Sequence, residues 1–304
     1  MANDVEKYDV VIIGGGPAGL TASIYAQRRG LKSLVIAAEL GGQMAKISEI
    51  ENWPGEEKIN GATLALHMKN QAEKLGAKIT YEQAIKIEKL ADISISVKTT
   101  QKEFIAKSLI LSFGKTPRSL RVPGEIELMG KGVSYCVNCD GPLFKNKSVA
   151  IVGGGNSALG AAVMMSGIAK EIHLIHRKDQ FRGEEYMIKK VESLKNITTH
   201  MSSQITKING ETSVEGVELS NGKTLSVEGV FIEIGFIVND SLVEDILEID
   251  KFGQVVVDSH QATSLPGVFA AGDLTNMPFQ QLIIACGEGA TAALSAFDYI
   301  QKVF

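Results

Sequence analysis

Tyr8-Asp9-Val10-Val11-Ile12-Ile13-Gly14-Gly15-Gly16-Pro17-Ala18-Gly19 is a short apolar run that ends on a cluster of glycines. The run reads as a buried parallel strand. Leu20 to Arg29 then reads as a helix closed by Gly30, and Ser33 to Ala37 as a second strand. Strand, loop, helix and strand in that order form a βαβ unit with G-x-G-x-x-G at its turn, the fingerprint of a dinucleotide site. Gly14, Gly16 and Gly19 permit the tight turn. A pyrophosphate can then rest on the unpaired N–H groups where the helix begins.

Such a unit is expected to end its second strand on an acid that binds ribose hydroxyls. Ala37 and Ala38 stand there, and Glu39 follows. Glu39 is either that ligand, displaced by a residue or two, or a solvated loop glutamate. Two loops come next, Gly41-Gly42-Gln43 and Glu51-Asn52-Trp53-Pro54-Gly55. The amides of Gln43 and Asn52 could each offer a donor and an acceptor to a heterocycle. The alternative is a turn anchored by a buried Trp53. Gly61 to Leu75 reads as an amphipathic helix, Lys78 to Thr99 as a small β-meander, and Leu109 to Phe113 as a buried strand ending at Gly114.

The βαβ pattern then occurs a second time, which implies two nucleotide sites in one chain. Ser148 to Val152 is its first strand, Gly153-Gly154-Gly155-Asn156-Ser157-Ala158 its turn, and Glu171 to Ile175 its second strand. His176-Arg177-Lys178-Asp179-Gln180-Phe181-Arg182 follows, with no acid at the ribose position. Grouped cations there suit a 2′-phosphate, the NADP arrangement; otherwise the segment is a solvated basic loop. Short strands with turns at Asn209-Gly210 and Asn221-Gly222 follow, then a buried strand ending at Gly235. Near the C-terminus a strand runs into Gly272-Asp273, either a hydroxyl-binding acid or an ordinary turn. An apolar helix extends from Gln281 towards Ile300.

Between the two units lies Ser134-Tyr135-Cys136-Val137-Asn138-Cys139-Asp140-Gly141. A C-x-x-C pair can close a small disulfide, and exchange through it needs a thiolate. The adjacent Asp140 can carry the proton. Zinc would require a second such pair or histidines at ligand spacing, and the five histidines are scattered. Redox chemistry is therefore the favoured reading, with no metal. Cys286 stands alone in an apolar run and reads as a small buried hydrophobe.

Composition agrees with a soluble protein large enough for two domains. The chain has 304 residues, 44% hydrophobic and 22% charged, with a net charge of −4. That charge gives no electrostatic reason to expect nucleic acid or an anionic membrane. The first residues carry no apolar core of a signal peptide, so a cytoplasmic location is expected.

As a set, these motifs resemble the low-molecular-weight thioredoxin reductase family of flavoprotein disulfide reductases. The resemblance spans essentially the whole chain. The Cys139 to Lys145 stretch and Gly287-Glu288-Gly289 also resemble the flavoprotein component of alkyl hydroperoxide reductases. The resemblance implies an α/β fold of two Rossmann-like three-layer dinucleotide-binding domains, the second inserted into the first. It places FAD on residues 1–116 plus 248–304, and NADPH with the redox pair on residues 117–247.

By the same likeness FAD contacts Gly14, Gly16, Pro17, Ala18, Gly19, Glu39, Gly41, Gly42, Gln43, Asn52, Ala84, Gly114, Gly272, Asp273, Gln280, Gln281 and Leu282. NADPH contacts Gly153, Gly155, Asn156, Ser157, Ala158, His176, Arg177, Lys178, Arg182 and Gly235. Cys139 faces the flavin, Cys136 is the interchange thiol, and Asp140 is the acid/base. A homodimer and a swivel of one domain against the other are implied as well, with thioredoxin as partner. A glutaredoxin-like or peroxiredoxin-type acceptor, or ferredoxin as donor, is the alternative. Several residues depart from the family pattern. Gly160 and Ala161 replace a pair of glutamates, and Ser112-Phe113-Gly114 replaces Ala-Thr-Gly. Val238 stands where proline is favoured. Gln280 replaces a basic residue, which on charge alone predicts a flavin that is harder to reduce.

Overall fold

A computed structural model of the chain describes residues 5–47, 49–91, 93–237 and 242–304. The chain divides into two compact units, one built from Met1–Thr116 with Val238–Phe304 and the other from Pro117–Ile237. The second crossing thus lies ten residues before the expected position of 247/248. Val243 and Leu247 account for the difference, because both are buried in the first unit's core beside Val97 and Val255. Val238 lies outside the described residues.

The first unit is organised by the strand Glu6–Gly15. Parallel neighbours flank it, Ser33–Leu40 on one side and Glu103–Leu111 on the other. The apolar run is continuous because both of its faces are covered, as the buried-strand reading requires. Val10 and Ile12 face the helices Pro17–Arg28 and Leu282–Val303. Val11 and Ile13 face the opposite core with Ile87, Ile95 and Phe104. The expected meander is present as the antiparallel strands Ala84–Lys89, Ile95–Thr99 and Glu103–Leu111. Lys78–Thr80 instead pairs in parallel with Ser33–Leu40.

Small residues bring the two helices together. Ala18, Ala22 and Ala26 share a core with Ala285, Ala292, Ala293 and Ala296. A Cβ at Gly289 would collide with the Ala18 carbonyl oxygen, so a larger side chain there would push the helices apart.

The second unit repeats this plan. Its sheet is parallel throughout, in the order Ile197–His200, Glu171–Ile175, Ser148–Val152, Gly229–Ile232, Val133–Ser134. Val149 and Ile151 face a core shared with helix Asn156–Ser166, while Ala150 and Val152 face a three-stranded antiparallel sheet. The helix Glu185–Glu192 was not anticipated from sequence. Among the described residues neither unit contains a closed barrel, and no helix is long and apolar enough to cross a membrane.

Candidate active site

The redox stretch forms a single helical turn, Val137–Asp140, with Cys136 as its N-cap. Cys136 and Cys139 are joined as a disulfide, their Cα atoms 5.3 Å apart. The Cys139 N–H donates to Cys136 Sγ at 3.2 Å. That donor is in place to stabilise a thiolate on Cys136 once the bond opens. Burial pushes the Asp140 carboxyl above its usual range, opposed by a hydrogen bond from the Ser134 hydroxyl. The same hydroxyl accepts the Cys136 N–H at 3.0 Å. Ser134, whose hydroxyl also donates to the Cys136 carbonyl at 3.4 Å, therefore positions the thiol-bearing backbone, a role that its place before Tyr135 did not disclose.

A buried carboxylate anchors this segment. Glu125 accepts from Tyr135 Oη and Ser119 Oγ at 2.7 Å each, from Leu120 N at 2.9 Å and from Arg121 N at 2.7 Å. Burial alone would raise its pKa, but these donors together hold it below the ordinary value. Among the described residues no cluster of three or more histidine, cysteine or acidic side chains could hold a metal.

Each glycine loop leaves room for a nucleotide. At the first, a Cβ on Gly14 would collide with the Ser112 carbonyl, and one on Gly19 with the Gly14 carbonyl. Gly16 faces open space instead, and as N-cap of helix Pro17–Arg28 it leaves the first turn without a side-chain cap. The N–H groups there remain available to an anion. The second loop repeats this, with Gly155 open and uncapped before Asn156–Ser166. These residues fit a dinucleotide at each loop.

At the first loop, strand Ser33–Leu40 continues through Glu39, which is exposed and 3.8 Å from Lys46. Glu39 is thus a strand residue beside Gly15, whose added Cβ would come within 2.8 Å of the Glu39 carbonyl. Gly41 and Gly42 both have positive φ, 80° and 54°, in the turn that follows. Trp53 is half-buried and packs with Leu20 and Met44, leaving Asn52 exposed. Asn52 Nδ2 donates to Gln281 Oε1 at 3.2 Å, and Gln43 Nε2 donates to the Lys115 carbonyl at 2.7 Å. Gly114 has a φ of 63° and open space at its α-carbon. Ala84 is more remote in type, a half-buried meander residue packed on the core. Leu282 begins the last helix, whose N-cap Gln281 supplies no side-chain cap.

Lys115 changes the reading of Gln280. Its Nζ donates to Gln280 Oε1, so a lysine stands beside the amide. Asp273 also acts on Lys115; burial pushes both towards their neutral forms despite that attraction. The Gly272-Asp273 turn is held by Glu288, which accepts the Gly272 N–H at 2.6 Å. Glu288 was singled out only by resemblance, and its structural task emerges here. Cys286 is buried, and burial raises its pKa, opposed by the Thr21 hydroxyl. It is an inert thiol.

At the second loop two expected ligands also make contacts within the chain. His176 is buried, its ring flat against Gly154 and stacked at 5.7 Å on Phe181. Burial first, then Arg182, Arg177 and Lys178, lowers its pKa and keeps it neutral. It supports the loop. Asn156 accepts the Glu184 N–H at 2.8 Å and donates to the Glu184 carboxylate at 3.3 Å, tying the basic loop back to the helix start. Arg177, Lys178 and Arg182 are exposed and close enough together to act on one imidazole. Ser157 is exposed, Ala158 fully buried, and Gly235 has a φ of 93° and accepts the Arg118 N–H at 2.9 Å. Ala161 is buried in the core and Gly160 lies near Met187, so neither position presents a polar face.

Comparisons with known proteins agree with this geometry. The chain is 38% identical to an NADH dehydrogenase of Ferdinandcohnia aciditolerans, over 98% of this chain and 58% of that protein. It is 36% identical to a component of the alkyl hydroperoxide reductase of Staphylococcus epidermidis, over 98% of this chain and 60% of the other. It thus spans about three fifths of the length of these curated relatives. The crystal structure of thioredoxin reductase from Streptococcus pyogenes superposes with a TM-score of 0.93 at 34% identity, covering 97% of this chain and 99% of that one. Residues 8–289 match the pyridine nucleotide-disulphide oxidoreductase family. The chain belongs to that family, as a flavoprotein oxidoreductase with the fold of thioredoxin reductases.

Proposed function

We propose that the chain is an NADPH-dependent disulfide reductase that passes electrons through FAD and the Cys136–Cys139 disulfide to a thioredoxin, working as a homodimer. The observation that carries this is the disulfide itself, set on a helical turn with a shielded carboxyl and in the same unit as the second glycine loop. Bound FAD supplies two-electron chemistry between a hydride donor and a disulfide. The chain's own residues do the rest. Cys139 receives the electrons, and Cys136 leaves as a thiolate held by the Cys139 N–H. That thiolate attacks the acceptor's disulfide, and Cys139 then resolves the mixed disulfide. Asp140, whose carboxyl burial pushes towards its protonated form, gives a proton to the acceptor's departing sulfur.

Arg177, Lys178 and Arg182 support NADPH over NADH and argue against ferredoxin as donor. Arg177→Ala should raise KM for NADPH roughly tenfold or more, the worth of a hydrogen bond to a charged group, and leave KM for NADH unchanged. Initial rates with a thioredoxin acceptor check this; equal effects on both coenzymes overturn the 2′-phosphate reading. The names of the curated relatives favour one second reading, NADH as donor and a peroxiredoxin-type acceptor. Rates with both coenzymes against thioredoxin, glutaredoxin-like and peroxiredoxin acceptors separate the two.

A further inference from the structure

His173 and His200 lie 27 residues apart in sequence and meet on neighbouring strands, and the steps above use neither. Glu171–Ile175 and Ile197–His200 run parallel, the second at the edge of its sheet. The two imidazoles lie across that pairing, with His173 Nδ1 3.1 Å from His200 Nε2 and the ring centres 5.3 Å apart. Only one N–H can occupy such a contact. The Glu171 carboxylate, 3.7 Å from His173 Nε2, favours the proton on that nitrogen, which leaves Nδ1 to accept and His200 Nε2 to donate. His173 is buried, and burial lowers its pKa against the pull of Glu171. Burial first, then His173 and Lys223, lowers that of His200. Both rings therefore favour their neutral forms, in which the bond stands.

The edge strand ends on His200, and its last residue and the turn after it hold the basic loop. The His200 carbonyl accepts the His176 N–H at 2.9 Å. The Ser202 N–H donates to the Lys178 carbonyl at 2.9 Å, and the Ser203 N–H to the His176 carbonyl at 3.0 Å. Ser202 has a φ of 49°, a left-handed conformation that a serine adopts only under constraint. Three backbone bonds thus seat residues 176–178 on the end of the strand. The Arg182 N–H, donating to the Gly154 carbonyl at 2.7 Å, seats the far end of the loop on the glycine turn. An edge strand is paired on one side only. The imidazole bond adds a side-chain tie at its last residue, where strands fray first.

We propose that the His173–His200 bond positions the basic loop for coenzyme selection. By fixing the end of strand Ile197–His200 it fixes where Arg177 and Lys178 present their charges, and so sets how strongly the chain distinguishes a nucleotide with a 2′-phosphate from one without. The inference rests on the basic loop being the 2′-phosphate site. Charge-assisted hydrogen bonds to a phosphate hold only at contact distance, and a loop that drifts by about an ångström leaves that range. The glycine turn follows strand Ser148–Val152 instead, so the phosphate it would hold should be indifferent to the pair.

The probes are 2′,5′-ADP and 5′-AMP, which differ by the 2′-phosphate alone, titrated calorimetrically into FAD-loaded protein at neutral pH. The native chain should bind 2′,5′-ADP the more tightly. His200→Ala should cut that preference roughly fivefold, the scale of one neutral hydrogen bond, and leave the affinity for 5′-AMP unchanged. His173→Leu removes the other partner and should do the same, and the double variant should do no more. His200→Gln should restore the preference, because its amide nitrogen stands where Nε2 does and can donate to His173. General damage to the fold would weaken both nucleotides and would not be repaired by an amide. A native preference that survives in His200→Ala, or a loss that His200→Gln does not restore, overturns the inference and leaves the coenzyme reading standing. A native protein that binds the two nucleotides alike overturns the coenzyme reading and this inference with it.

Discussion

Cys139→Ser is expected to lose disulfide turnover by about a thousandfold or more while keeping hydride uptake from the pyridine nucleotide. The two outcomes separate because the residues that do the two tasks are different. The glycine loops that accommodate nucleotides are untouched by the substitution, whereas the only route by which Cys136 can be regenerated runs through its partner sulfur. A serine oxygen cannot form the bond that stores the electron pair. Stopped-flow bleaching of the flavin should therefore remain fast, and steady-state reduction of a thioredoxin should fall to background. Cys286 cannot substitute, since it is buried with its thiol pKa raised by burial. Turnover that survives in Cys139→Ser would mean that electrons reach the acceptor by another path.

Gly19→Val is expected to give a colourless protein that has lost most of its FAD. The residue lies in the first turn of helix Pro17–Arg28, where an added Cβ would collide with the Gly14 carbonyl and come within 2.6 Å of Ser112 Oγ. The atom it would meet first is backbone, which cannot turn aside as a flexible side chain can. Relief requires the helix start to withdraw from the strand end Ile13–Gly15 and from Ser112, which hydrogen-bonds the Ile13 carbonyl at 2.9 Å. Overpacking of this kind costs roughly 1–3 kcal/mol in a well-packed site. Here the displacement falls on the N–H groups that would meet a pyrophosphate, so cofactor retention should suffer more than folding. Flavin absorbance per protein, with circular dichroism to confirm folding, reads both; a fully yellow variant would contradict the assignment of this loop.

Much of this was legible in the chain itself. Val10 to Ile13 is apolar without alternation because both faces of its strand are covered, and that pattern with the glycines specifies a βαβ unit. The second unit was read on the same grounds, and the paired cysteines by their spacing. What escaped was pairing across long separations and competition between partners. Lys115 and Gln280 meet across 165 positions, so the charge at that corner could not be judged from position 280 alone. Asn156 stands where a loop residue would face a nucleotide, yet it holds Glu184. His176 heads a basic run, but it is buried just after its strand, and burial first and then the cations beside it lower its pKa. The junction near 238 differs from the expected one because Val243 and Leu247 carry no local signal of which core they join.

The most direct test of the account is an anaerobic titration of the FAD-loaded protein with NADPH, followed by counting the thiols on Cys136 and Cys139. The account predicts that both become reactive to a thiol reagent as NADPH is consumed, one pair for each two-electron equivalent, and that adding an oxidised thioredoxin closes the disulfide again. Flavin that is reduced while the disulfide stays closed would contradict it.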